Sequence, residues 1–134
     1  MLSQFTPEGN NTCLSELDYV FPKDVYPVGR LDSDSEGLLL LTNDKKINGL
    51  LLHPSNKHER TYLVQCEGNI NTEAISKIES GLKINVNGKT HQALPAKAKI
   101  ISEPDFLPER NPPIRFRKNI PTDWVEIKLT EGKN

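Results

Sequence analysis

Cysteine is scarce in this chain. Cys13 and Cys66 stand far apart, in no CxxC pair and at no spacing that suits a metal. That pattern excludes a disulfide-stapled secreted scaffold and a zinc site, and both thiols read as reduced, buried residues of a cytosolic protein. There is also no apolar run approaching the ~20 residues that a membrane span requires. No basic segment followed by an apolar one opens the chain, so a cytoplasmic protein is expected. A basic excess is missing too: 17 Lys and Arg face 18 Asp and Glu, a formal net charge of −1. A binder that is basic throughout is thereby excluded, whereas a local basic face is not. His53, His58 and His91 lack metal-like spacing and read as polar surface residues. Ser33 and Ser35 have no His or Lys neighbour that would make a nucleophile of them. Repeats and low-complexity tracts are absent, and 134 residues are enough for one domain with one core.

The most informative stretch runs from Gly29-Arg30-Leu31-Asp32 through Ser33-Asp34-Ser35-Glu36-Gly37 into four leucines, Leu38 to Leu41, and Thr42. The leucines predict a short strand buried on both faces, because a continuous apolar run bounded by turn residues fits that environment. A polar loop held by such a strand is a common seat for chemistry. Three readings of the loop are open. It can be a solvated acidic turn, since exposed charges usually carry no chemistry. It can be a calcium loop, with Asp32, Asp34 and Glu36 at alternating positions before Gly37. That match fails further on, because the twelfth position is Asn43 rather than a bidentate Glu. It can also hold a catalytic carboxylate, Asp32, kept ionised by Arg30 two residues away.

The rest of the chain alternates short helices and strands. Thr12 is placed to cap a helix through Phe21, stopped by Pro22. Asn43 is placed to cap a second through about Leu52, with Ile47, Leu50 and Leu51 at helical spacing before Pro54. Pro54 to Glu59 reads as a polar loop. Arg60 to Glu67 reads as a strand. Thr72 is expected to cap a helix ending at Gly81 in the left-handed position. Asn87-Gly88 is a strong hairpin signal. A half-buried strand is expected from Leu94 to Ile100 and a last one from Trp124 to Thr130. Pro104 to Pro121 carries five prolines and four cations, Arg110, Arg115, Arg117 and Lys118, around Phe116. A loop that long inside a domain is usually functional. Helices and strands mix without a repeating βαβ order. The expected class is therefore α+β, with a mixed, mostly antiparallel sheet flanked by helices and loops.

The run Val28-Gly29-Arg30-Leu31-Asp32 to Asn43-Asp44 resembles motif II of the pseudouridine synthases. The form is that of the ribosomal branch, whose members are lettered A for the small ribosomal subunit and B, E and F for the large one. The likeness continues through Arg60-Thr61-Tyr62-Leu63-Val64 and into Arg110-Asn111-Pro112-Pro113-Ile114-Arg115, a stretch nearest the synthase E type. It covers nearly the whole chain. It implies a pseudouridine synthase catalytic domain over residues 1–134, incomplete at both ends, that isomerises a uridine of large-subunit ribosomal RNA.

The resemblance implies that Asp32 is the essential aspartate and that Arg30 helps hold the extruded nucleotide. It implies that Tyr62 stacks on the target uracil and moves its C5 proton, while a Tyr in a strand otherwise simply packs. Gly29, Arg60, Arg110, Arg115, Phe116, Arg117 and Lys118 are expected to bind RNA; Arg60 stands where a Lys is more usual. No cofactor and no metal are implied. The partner is ribosomal RNA, with no membrane, and the full-length protein is expected to be a monomer. A rival expectation is a truncated, inactive fragment that retains RNA binding.

Overall fold

The computed structural model describes residues 1–110, 113 and 120–132. The chain forms two compact units, Met1–His58 and Glu59–Asn134. Among the described residues no helix is long and apolar enough to cross a membrane.

In the first unit the opening segment runs beside residues 11–14. Leu2 forms a parallel bridge with Cys13. The Leu2 N–H donates to the Thr12 carbonyl and the Leu14 N–H to the Gln4 carbonyl, each at 2.8 Å. Ser3, Cys13 and Leu14 lie along this pairing and are buried. The helix expected from Thr12 to Phe21 is instead a single 3-10 turn, Leu14–Glu16. Glu16 turns its carboxylate back onto the Cys13 N–H (2.9 Å), and Leu17 leaves in extended backbone. So short a segment, with Tyr, Val and Phe in it, nucleates a helix poorly. Phe21 packs edge-on against Phe5 and Tyr19 instead, with ring centres 5.0 and 4.8 Å away.

Strand β1 (Tyr26–Pro27) pairs antiparallel with β2 (Leu41–Thr42), and the Val28 N–H adds a bond to the Leu40 carbonyl (2.8 Å). The strand expected across the four leucines is thus only Leu41–Thr42. The run is not buried: Leu38 is 84% and Leu40 46% exposed. An apolar run is covered only where layers meet both its faces, and among the described residues β2 pairs only with a strand of two residues. Helix α1 (Lys45–Leu52) follows. Its cap is Asp44 rather than Asn43, because the Asp44 carboxylate accepts from the Lys46 N–H at 2.7 Å. The expected polar loop after it contains a 3-10 turn, Pro54–Asn56.

The second unit is built on a three-stranded antiparallel sheet. Strand β3 (Arg60–Glu67) has the bounds its alternating pattern predicts. Helix α2 (Thr72–Ser80) is capped by Asn71, whose side chain accepts from the Ala74 N–H (2.9 Å), one residue ahead of the expected Thr72. Gly81 ends it at φ 87° and ψ 124°, not in the left-handed helical well. A Cβ there would collide with the Ala93 carbonyl oxygen, so glycine is required on two counts. Strands β4 (Lys83–Val86) and β5 (Lys89–Gln92) form the expected hairpin. Asn87 and Gly88 both have positive φ, as a primed turn demands. Strand β6 spans Lys97–Ile101. It begins later than expected because the Leu94 N–H donates to the Glu131 carboxylate (2.5 Å) and Pro95 has no N–H to give. Strand β7 (Thr122–Leu129) lies between β3 and β6.

Val125, 1% exposed, sits at the centre of that sheet, opposite Val64 on one side and Ile100 on the other. Helix α2 packs on β6. Helices beside antiparallel strands make the α+β class that the sequence predicts. Cys66 is a free thiol like Cys13 but is only half-buried. His91, expected at the surface, is half-buried, and its Nε2 meets the Glu131 carboxylate at 3.3 Å. Glu131 thereby ties the β4–β5 hairpin and residue 94 to the end of β7.

Candidate active site

Asp32 stands on an exposed turn whose backbone is held at several points. Upstream, Gly29 has φ 78°, and a Cβ on it would press to 3.2 Å from the Leu52 side chain. Any other residue there is strained, so the chain enters the turn along one path. Leu31, next to Asp32, gives its N–H to the Ser3 hydroxyl (3.0 Å). The same hydroxyl donates to the Leu31 carbonyl (3.3 Å). Downstream, the Ser35 N–H donates to the Asp32 carbonyl (3.0 Å). The Met1 nitrogen donates to the Ser33 carbonyl (3.1 Å). The side chains of Arg30 and Asp32 stay in solvent. Among the described residues no ion pair joins the two, so the expected Arg30 clamp on the carboxylate is not formed. Asp32, Asp34 and Glu36 do not converge into a metal-holding group.

An open cleft of about 440 Å³ lies beside this turn, lined by Ser3, Gln4, Phe5, Thr6, Tyr26, Pro27, Gly29 and Arg30. Its volume falls within the range of small-ligand sites. Aromatic rings and a guanidinium on its walls are surfaces on which a nucleobase stacks. Sequence reasoning missed Ser3 and the aromatic wall, Phe5 and Tyr26. No local motif marks them, since only the fold brings residues 3–6 alongside residues 26–31.

In the second unit, Arg60 and Tyr62 stand at the start of β3. Two residues apart on a strand, they project from the same face, opposite Leu129 and Ile127 of β7. Tyr62 is 41% exposed, so its ring is open to a ligand. Arg60 is less accessible, and its buried Nε–H has no acceptor among the described residues. Gly132 lies beside its guanidinium, where a Cβ would come within 3.8 Å.

The opposite face of the sheet carries a charge network. Glu59 binds Lys97 at 2.7 Å and Lys128 at 3.8 Å. Glu126 binds Lys99 at 3.2 Å and Lys128 at 3.9 Å. The hydrogen bond from Lys97, with the positive charges of Lys97 and Lys128, holds the Glu59 carboxyl below the ordinary value of 4.5. Arg110 lies in exposed irregular chain. Arg115, Phe116, Arg117 and Lys118, also expected to bind RNA, lie outside the described residues.

The turn, the cleft and the strand tyrosine are borne by a sequence that a family model described as RNA pseudouridylate synthase matches over residues 3–134. The chain belongs to the RNA pseudouridylate synthase family. Ribosomal large subunit pseudouridine synthase E of Vibrio parahaemolyticus is 44% identical over 133 residues, 99% of this chain and 53% of that protein. The enzyme of that name from Xanthomonas axonopodis pv. citri is 38% identical over 134 residues, all of this chain and 68% of its own length. Ribosomal large subunit pseudouridine synthase B of Bacillus subtilis is 35% identical over 113 residues, 84% of this chain and 39% of that one. A solved pseudouridylate synthase structure superposes with a TM-score of 0.64 at 24% identity, over 87% of this chain and 42% of that one. That likeness shows a shared fold. The chain thus spans about half the length of the Vibrio synthase. The pseudouridylate synthase match runs through both compact units.

Proposed function

We propose that the full-length protein bearing this chain is an isomerase that converts a uridine of large-subunit ribosomal RNA to pseudouridine. The observation that carries this reading is Asp32: an exposed carboxylate on a backbone-held turn, in a chain of the pseudouridylate synthase family. The names of the synthase E relatives supply the choice of RNA. Residues 1–134 are read as part of one catalytic domain, acting as a monomer in the cytoplasm. The reaction breaks the N1–C1′ bond of the nucleotide, turns the base, and joins C5 to C1′. N1 gains a proton, C5 loses one, and the net change is an isomerisation. Asp32 acts at the sugar, Tyr62 stacks on the base and carries the C5 proton, and Arg30 holds the extruded nucleotide. Extrusion costs a few kcal/mol of stacking, which an arginine and an aromatic ring offset in part. The buried Nε–H of Arg60 is a donor suited to an RNA oxygen. Gly29 keeps backbone close to the strand, and Arg110, Arg115, Phe116, Arg117 and Lys118 add a local basic surface.

The direct experiment incubates the full-length protein with a large-subunit ribosomal transcript and locates pseudouridine as carbodiimide-dependent stops of reverse transcription. A new stop at a single uridine is expected. A transcript without any new stop contradicts the reading.

A second reading concerns the 134-residue chain by itself and is favoured by the exposure of Leu38 and Leu40. Uncovered leucines beside the catalytic turn suit a fragment that binds RNA and tends to associate, without turning over. Turnover by the isolated chain contradicts it.

A further inference from the structure

We infer that Ser3 is a positioning residue for Asp32. The inference rests on the catalytic reading of Asp32 above and adds the group that aims it. Ser3 is 7% exposed. Its hydroxyl reaches across 28 positions of sequence to a single residue, Leu31, and meets both of its backbone groups. A hydroxyl has one hydrogen to give and lone pairs to accept with. Here it accepts from the Leu31 N–H at 3.0 Å and donates to the Leu31 carbonyl at 3.3 Å.

Those two groups flank one Cα, so holding both fixes the φ and ψ of Leu31. The Leu31 carbonyl shares a peptide plane with the Asp32 nitrogen. The plane on the far side of Asp32 is held by the bond from Ser35 to the Asp32 carbonyl, at 3.0 Å. The backbone of the aspartate is thus clamped before and after its Cα, while its carboxylate remains in solvent. Among the described residues Arg30 makes no ion pair with Asp32. Without the hydroxyl the turn keeps its chain path through Gly29 but loses the fixed direction of the peptide plane that enters Asp32. An attacking group that wanders by an ångström loses about a hundredfold in rate.

The test compares Ser3→Val with Ser3→Thr in the full-length protein, since the two differ by little more than the hydroxyl. Turnover is read as tritium released from a large-subunit ribosomal transcript carrying 5-tritiated uridine. Ser3→Val should lower kcat by about tenfold to a hundredfold while KM stays within about threefold. Ser3→Thr should recover most of the lost kcat. Amide hydrogen exchange across residues 30–36 should quicken in the Val variant and not in the Thr variant. If Ser3→Val fails to fold by circular dichroism, Ser3→Ala takes its place beside Ser3→Thr. Equal kcat in the hydroxyl-bearing and hydroxyl-free variants overturns the inference, as does a loss confined to KM. Wild type and Asp32→Asn are assayed in parallel. A silent wild type, or an active Asp32→Asn, overturns the catalytic reading and this inference together. An active wild type with a silent Asp32→Asn, but equal Ser3 variants, overturns this inference alone.

Discussion

Arg60 and Tyr62 share one face of the second unit's sheet, one turn of the pleat apart, opposite Leu129 and Ile127. The tyrosine is open to solvent; the arginine holds a buried N–H that meets no acceptor among the described residues. A ring that can stack and a donor that needs an oxygen therefore stand side by side. The variants that follow are all made in the full-length protein.

Tyr62 has two separable duties in this account. Tyr62→Phe keeps the ring and loses the hydroxyl. It should lower kcat by about 10²–10⁴, the usual worth of a positioned proton-transfer group, with KM nearly unchanged. Tyr62→Ala should raise KM as well, because a stacked base contributes about 1–3 kcal/mol. Steady-state tritium release separates the two effects. A fully active Phe variant removes Tyr62 from the proton transfer.

Arg60 should show opposite effects on binding and stability. Among the described residues its buried Nε–H meets no acceptor, so Arg60→Met should cost no stability and can add up to about 1 kcal/mol. The same change should weaken RNA binding and reduce the salt dependence by about one phosphate contact. Thermal melts and filter binding across a salt series check both. A destabilised variant with unaltered RNA affinity contradicts the assignment.

Glu59 predicts how this unit responds to acid. Its carboxyl is held below the ordinary value of 4.5 in the fold, chiefly by the hydrogen bond from Lys97. A lowered folded value means the unfolded chain takes up the proton first, so this contribution is complete above 4.5 and disappears as pH falls below it. Denaturant melts from about pH 6 downward should therefore show stability falling in that window, and Glu59→Gln should flatten part of the fall. An unchanged pH profile in Glu59→Gln counts against the network.

The parts legible in the sequence were those governed by local rules. Arg60–Glu67 alternates, and it forms a strand with those bounds. Asn87-Gly88 permits positive φ, and the hairpin follows. The motif II stretch pointed to the family that the comparison identifies. What stayed hidden depends on contacts between distant segments. Four leucines predicted burial, but burial needs a covering layer, and Leu38 lies in solvent. Arg30 was expected to clamp Asp32 because it is near in sequence. The bonds that hold the turn come largely from Ser3, far away in sequence and marked by no motif. Nothing in the sequence near His91 marks its contact with Glu131, forty positions away.

In the proposed reaction the Asp32 carboxylate performs the chemistry. Asp32→Asn, nearly identical in shape, is the sharpest probe. Single-turnover assays with a 5-tritiated uridine transcript should show binding within about threefold of wild type and no tritium release above background. Tritium release at the wild-type rate by Asp32→Asn would contradict the account.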